Sequence, residues 1–283
     1  MSSSGQTIRK KKHRPLLGII GGSGMCTFPG LRVIEELSPM TNYGQPSDFI
    51  QIGNLGTALV AFLPRHGRMH SIPPHKVPYK ANLAALAKIG AGPIVGTCIA
   101  GSLKRDIAPG TFVIPDQFVN LTWGRDDSFA ADGGAFQHVP MAEPYCGCMR
   151  ALLRQAADDS DLRVRDGGTV AVIQGPRFGT TAESRWLASN GWDIVNMTQY
   201  PECYFARELG ICYAAVAAIT DYDVGIKEGA ELAMSRETMP AILKIFRKNV
   251  RQTRSLLCEL AESVTRKFSC KCSSNETKPY YKR

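Results

Sequence analysis

Two acids one residue apart, Asp221 and Asp223, follow an apolar run, Cys212 to Ile219, that has the composition of a buried strand. In extended backbone, residues two apart project to the same side, so both carboxylates face one spot where a core ends and a cleft begins. Paired carboxylates serve acid/base chemistry. A glycosidase, however, sets its pair across a sugar, about 5–9 Å apart and usually from different elements. Two acids at one strand end are better suited to gripping one edge of a ring that offers hydrogen-bond donors. An aminopurine has such donors, an exocyclic NH2 and a ring nitrogen that can be protonated. Taken alone, Asp-Tyr-Asp also reads as a solvent-facing turn.

Other stretches have the chemistry of an anion site. Gly21-Gly-Ser-Gly24 can wrap a phosphate with backbone N–H groups and the Ser23 hydroxyl. It is neither a dinucleotide fingerprint, because Thr27 stands where the third glycine is needed, nor a Walker loop, because no Gly-Lys-Ser/Thr follows. Arg65-His66 offers a guanidinium fork and a second donor for an oxyanion. His66 and His70 stand four apart, but no glutamate accompanies them as in a metalloprotease, and Pro73-Pro74 argues against a long helix.

The elements that must position these residues alternate between strand-like and helix-like. Strands are expected over 16–20, 58–63, 93–98, 111–115, 169–173, 193–197 and 212–219. An alanine-rich helix is expected from Tyr79 to Ile89, stopped by Gly90. Thr180-Thr-Ala-Glu183 supplies a capping box for a helix ending near Asn190-Gly191. Pro201 opens another helix that Gly210 closes, and Ser235 to Lys267 reads as a long amphipathic C-terminal helix. This order predicts an α/β fold, a single domain with a central mixed β-sheet flanked by helices. Chemistry in such folds sits at the carboxyl ends of strands. Polar or glycine-rich pieces follow strand after strand here: GGSG, PRHG, AGS, GPRF, NMT and TDYD.

Composition narrows the class. The 283 residues are 44% hydrophobic and 21% charged, ordinary for a globular chain. No apolar run approaches the roughly 20 residues of a membrane span, and the short run after the basic N-terminus does not make a secretory signal, so a cytoplasmic location is expected. Much of the net charge of +9 lies in terminal tails, residues 1–15 and 268–283, around a domain expected at 16–267. With no basic stripe interleaved with aromatics, nucleic acid is not expected as a partner. Nine cysteines, an odd number spread through the elements, fit reduced thiols better than a disulfide framework. Two Cys-x-Cys pairs, Cys146/Cys148 and Cys270/Cys272, match zinc spacing poorly, so no metal is expected.

Taken in order, several stretches resemble the trimeric nucleoside phosphorylases, most closely their 5′-methylthioadenosine phosphorylase branch. They are GIIGGSG (18–24), LPRHGRMHSIPPHKVPYKANLAAL (63–86), AGSLKRDIAPGTFVIPDQFVNLT (100–122), HVPMAEPYC (138–146), IQGPRFGTTAES (173–184), DIVNMTQYPE (193–202) and ITDYD (219–223). The resemblance spans roughly residues 16 to 260 and implies the nucleoside phosphorylase fold. The implied reaction is phosphorolysis of 5′-methylthioadenosine to adenine and 5-methylthioribose 1-phosphate, a salvage step. It needs no cofactor, inorganic phosphate being a co-substrate, and it implies a homotrimer or a dimer of trimers.

Roles carried by the resemblance fall on Ser23, Arg65, His66, Thr198, Cys98 and Ile99 for phosphate. They fall on Asn196 and Met197 for the ribose, Phe178 for stacking of the base, Asp221 for N7 and catalysis, and Asp223 for the 6-amino group. Met239, Ile242 and Leu243, with His138 from a neighbouring subunit, are implied for the 5′ thioether. Members that prefer 6-oxopurines typically carry Asn as the N7 partner, so Asp-Tyr-Asp reads as an adenine signature. One departure is Cys98-Ile99, where the family often has Thr-Ala: a thiol is a poorer donor to phosphate than a hydroxyl, and Thr97 is the neighbour able to compensate. Cys270 and Cys272 resemble a Cys-x-Cys ending that supports thermostability through disulfides in some thermophilic members. The alternatives are the same chemistry on another 5′-deoxy- or 5′-halogenated adenosine, adenosine or methylthioinosine; a hydrolase using water; and a catalytically silent nucleoside- or nucleic-acid-binding protein.

Overall fold

A computed structural model describes residues 17–130, 138–226, 238–270 and 272. Its strands are β1 (Leu17–Gly21), β2 (Arg32–Leu37), β3 (Ile50–Leu55), β4 (Ala58–Pro64), β5 (Ile94–Ser102), β6 (Phe112–Ile114), β7 (Gln117–Leu121), β8 (Val164–Asp166), β9 (Thr169–Ile173), β10 (Ile194–Asn196) and β11 (Tyr213–Tyr222). The helices are α1 (Tyr79–Lys88), α2 (Gly147–Asp159), α3 (Thr181–Ser189), α4 (Gln199–Glu208) and α5 (Met239–Lys267). The strands form one mixed sheet in the order β2-β3-β4-β1-β5-β10-β9-β7, with β11 and then β6 and β8 branching from β5. None of the described helices is long and apolar enough to cross a membrane.

Strand β5 is the hub. Its first half pairs parallel with β1, its last residues pair antiparallel with β10, and β11 runs parallel along its other edge. Such a strand is covered on both faces and must read as a near-continuous apolar run, as Ile94-Val-Gly-Thr-Cys-Ile-Ala100 does. Alternation along β1, β4 and the first part of β11 separates two of the clusters that make up the core. Ile19, Phe62, Ala214 and Val216 pack with Met149 and Leu153 of α2 and Leu257 and Leu260 of α5. Their sequence neighbours Ile20, Leu63, Tyr213 and Ala215 pack with Leu83 and Leu86 of α1 and Phe205 of α4. The period of two along the strands thus fixes which helix each residue meets.

The expected elements are present with shifted ends. Both bonds of the Thr180/Glu183 capping box form, and Gly90 and Gly210 follow α1 and α4 with positive φ, as left-handed stops do. Tyr200 interrupts α4 with an extended conformation, so regular helix begins at Pro201 as the sequence predicts. Ser235, the expected start of the last helix, lies outside the described residues, as does Leu16; α5 is seen from Met239.

Strands β5 and β11 run past their expected ends, to Ser102 and Tyr222, because each pairs with the other there. Asp221 therefore lies on β11 and not in the loop beyond it. Thr220 has no counterpart on β5: Ile219 pairs with Ala100 and Asp221 with Gly101, a one-residue bulge. Residues 268–270 and 272, read from sequence as part of a polar tail, bring Phe268, Cys270 and Cys272 against the core beside α2.

Candidate active site

The carboxyl ends of β5, β10 and β11, the loops after β1 and β4, and the start of α5 enclose a cavity of about 630 Å³. Ser23, Arg65, His66, Cys98, Ile99 and Thr198, the residues expected for phosphate, all line it. So do Phe178, Asn196, Met197, Asp221, Asp223, Ile242 and Leu243. Met239 does not; it opens α5 one turn before Ile242 and Leu243, and Phe246, one turn beyond them, completes the apolar wall. The spacing 242, 243, 246 is one helical stripe, which could have located Phe246 from sequence. His138 lies on the surface of this chain and is not among the lining residues.

Arg65 is 1% exposed. Its Nε and Nη2 donate to both oxygens of Glu202, each at 2.7 Å, and Nη1 donates to the Thr97 carbonyl at 2.7 Å. Three of its five N–H groups are taken this way, leaving one on each terminal nitrogen for an anion in the cavity. Glu202, in the first turn after Pro201, also accepts from the Tyr213 hydroxyl at 2.6 Å. Nothing local in the sequence marked Glu202 as the partner of a residue 137 positions away.

His66 differs from the donor the sequence suggested. Its Nδ1 lies 2.8 Å from the Ile72 carbonyl, which can only accept. Burial, with the Arg65 charge beside it, lowers the ring to about 4. The neutral ring therefore spends its N–H on Ile72 and presents Nε2 as an acceptor, suited to a phosphate oxygen that still carries its proton.

The Cys98 thiol is also committed elsewhere. It accepts from Asn196 Nδ2 at 3.2 Å and Gln199 Nε2 at 3.3 Å, and donates to the Val216 carbonyl at 3.8 Å. The thiol thus orients Asn196, whose Oδ1 accepts from Thr198 N–H at 3.4 Å. Nor does Thr97 compensate: its hydroxyl accepts from Gly22 N–H at 3.0 Å and faces the Ile20 carbonyl, tying the glycine loop to β5. Arg125, another residue without a sequence signal, donates to the carbonyls of Gln174, Met197 and Tyr200 and so fixes the backbone at Met197.

The close approach at Gly22 is steric. A Cβ there would collide with the Thr97 carbonyl and lie 2.9 Å from Arg65 Nη1. Gly22→Ala should therefore displace the guanidinium and raise the KM for phosphate by about 10- to 100-fold. Initial rates against phosphate concentration measure this, and an unchanged KM removes Arg65 from phosphate binding.

Asp221 and Asp223 are 7% and 8% exposed and line the same cavity, as the two-residue spacing predicts. Burial raises the Asp221 carboxyl to about 6, against the Thr220 hydroxyl that donates to it at 2.6 Å, and the Asp223 charge adds to the rise. Burial also pushes Asp223 up. Its Oδ2 is buried without a hydrogen-bond partner among the described residues. A buried acceptor left unpaired costs about 1–3 kcal/mol, so this atom is set to receive a donor from a ligand. Phe178, 58% exposed, sits at the cavity mouth.

The sequence profile of the phosphorylase superfamily matches residues 16–262. An S-methyl-5′-thioadenosine phosphorylase of Mycolicibacterium smegmatis is 46% identical over 255 residues, covering 90% of this chain and 93% of the relative. A purine nucleoside phosphorylase of Streptomyces coelicolor is 40% identical over 260 residues, covering 89% and 90%. The solved methylthioadenosine phosphorylase of Schistosoma mansoni in complex with adenine superposes with a TM-score of 0.85 at 35% identity, covering 92% of this chain and 95% of that one.

Proposed function

The chain belongs to the phosphorylase superfamily, and from that premise we propose that it cleaves 5′-methylthioadenosine with inorganic phosphate, releasing adenine and 5-methylthioribose 1-phosphate. The observation that carries the choice of base is the unpartnered Oδ2 of Asp223 beside the raised carboxyl of Asp221. As the glycosidic bond lengthens, positive charge grows on the ribose ring and negative charge on the purine. Phosphate held by the free Arg65 N–H groups, His66 Nε2, Ser23 and Thr198 stabilises the first. A proton or hydrogen bond from Asp221 to N7 disperses the second. Asp223 accepts from the 6-amino group. No cofactor enters this scheme, and water in place of phosphate would leave the Arg65 donors without an anion.

The apolar wall of Ile242, Leu243 and Phe246 favours a thioether over a hydroxyl at C5′. With Phe178 exposed at the mouth, the reading includes a cytosolic homotrimer in which a neighbouring copy, contributing His138, covers the site. The Streptomyces coelicolor relative's name keeps a broader purine nucleoside specificity as the second reading.

Adenine release from 5′-methylthioadenosine, with and without phosphate and beside 5′-methylthioinosine and adenosine, tests this. Release that needs phosphate and prefers the methylthio-amino substrate supports it; phosphate-independent release sinks the phosphorolysis. Asp223→Asn places an NH2 where the 6-amino group donates. It should lower the preference for the amino over the oxo substrate, as a ratio of kcat/KM, by about 10- to 100-fold. An unchanged ratio removes Asp223 from base selection.

A further inference from the structure

Away from the cavity, four sulfurs meet. Cys146, Cys212, Cys270 and Cys272 place their Sγ atoms all within 4.8 Å of one another, and among the described residues no other group of three or more His, Cys, Asp or Glu gathers so closely. They come from three parts of the fold: Cys146 caps α2, Cys212 immediately precedes β11, and Cys270 and Cys272 follow α5. Taken pair by pair along the sequence, the Cys-x-Cys spacing is poor for zinc; the fold supplies the two missing ligands from rigid elements and leaves Cys148 exposed and outside the group.

We propose that these four thiolates form a structural site for a thiophilic divalent cation of the Zn2+ class. Tetrahedral coordination with metal–sulfur bonds of about 2.3 Å requires sulfurs about 3.8 Å apart. The observed separations bracket that value, from 3.2 Å for Cys270–Cys272 and 3.4 Å for Cys146–Cys270 up to the 4.8 Å limit. Pairing into disulfides accounts for sulfurs two at a time and does not require all four to share one centre.

The surroundings suit a thiolate centre. Cys146 is 3% and Cys212 9% exposed, and the partly exposed Cys270 and Cys272 pack against the same core. Met149 N–H points at Cys146 Sγ from 3.5 Å, the kind of backbone N–H···S contact that steadies a metal-bound sulfur. Binding converts four thiols and one cation into a tetrathiolate complex, and the four protons pass to solvent with no change of oxidation state. The site would fasten the segment after α5 to the start of α2 and the base of β11.

The test uses the full-length protein, reduced with a phosphine, stripped with a chelator and titrated with Zn2+. One equivalent should bind per chain and protect four of the nine thiols from alkylation, mapped to Cys146, Cys212, Cys270 and Cys272. Co2+ in place of Zn2+ should give the charge-transfer and d–d bands of a tetrahedral thiolate site. Cys270→Ser/Cys272→Ser should lose the bound equivalent and Cys148→Ser should keep it. Alkylation of all nine thiols regardless of Zn2+ overturns the proposal, and so does isolation of the native protein with these cysteines joined as disulfides and no metal. Both readouts are made on the unsubstituted chain, so failure of a variant to fold does not blunt them.

Discussion

Asp221→Asn should lose activity and melt at a higher temperature than the parent at pH 7.5. The sign follows from the direction of the shift. A carboxyl raised from 3.8 to about 6 holds, between those values, a proton that the unfolded chain has already released. Stability therefore falls as pH rises through that window and levels off above it, at a cost of about 3 kcal/mol. Asparagine cannot ionise, and its carbonyl still accepts from Thr220. The gain should be about 5–10 °C at pH 7.5 and vanish below about pH 4. Over the same range kcat should fall by about 10²- to 10⁴-fold, as for loss of a positioned acid. The parent's rate should decline as pH rises above about 6 while the residual rate of the variant stays flat. Calorimetric melts from pH 4 to 8 and initial rates on the same samples measure both effects. Equal melting temperatures at pH 7.5 would refute the cost of burying this carboxylate, and an unchanged rate would take Asp221 out of the chemistry.

The second large effect concerns the ion pair under the phosphate site. Both members are essentially without solvent contact, Arg65 at 1% and Glu202 at 0%. Glu202→Ala should destabilise the protein by about 3–5 kcal/mol, because it strands a guanidinium that has no water to turn to. Replacing both partners with apolar groups of similar size, Arg65→Met/Glu202→Met, should recover much of that loss, since the buried charges leave together. Only the anion site is not recovered: the double variant should saturate poorly with phosphate. Urea unfolding of the two variants separates these expectations. If the double variant is as unstable as Glu202→Ala, the pair acts through its shape and not its charge.

What the sequence made legible follows from how local each signal was. The capping box at Thr180, the glycine stops and the apolar alternation of β1, β4 and β11 are read within a few residues of themselves. The acids at the end of β11 were legible for the same reason, since a two-residue period needs no partner. Strand β2 was not anticipated, because five of its six residues are exposed and no face repeats. Helix α2 carried its signal, Met149, Leu153, Ala156 and Ala157 on one face, but opens with Gly-Cys, which masks its start. At the site, the hydrogen bonds the sequence did not show are those decided across the fold. His66 gives its N–H to Ile72, Cys98 serves Asn196, and Thr97 holds Gly22. A residue's type names what it can donate or accept, and the fold decides to whom.

The bulge at Thr220 is a matter of counting as much as of chemistry. One unmatched residue shifts the phase of β11, so every side chain after it faces the opposite way from the one strict alternation with β5 would give. The extra residue places Asp221 opposite Gly101, where strict pairing would have set it opposite Ser102. Substitutions at 219 or 220 can alter packing and leave the register intact, because the pairing of Asp221 with Gly101 is set by the backbone ladder and not by those side chains. Over this stretch the strand has taken in one position of length without losing its ladder, since Asp221 and Tyr222 pair with Gly101 and Ser102 beyond it, so the register with β5, more than the count of residues, fixes where the first acid stands.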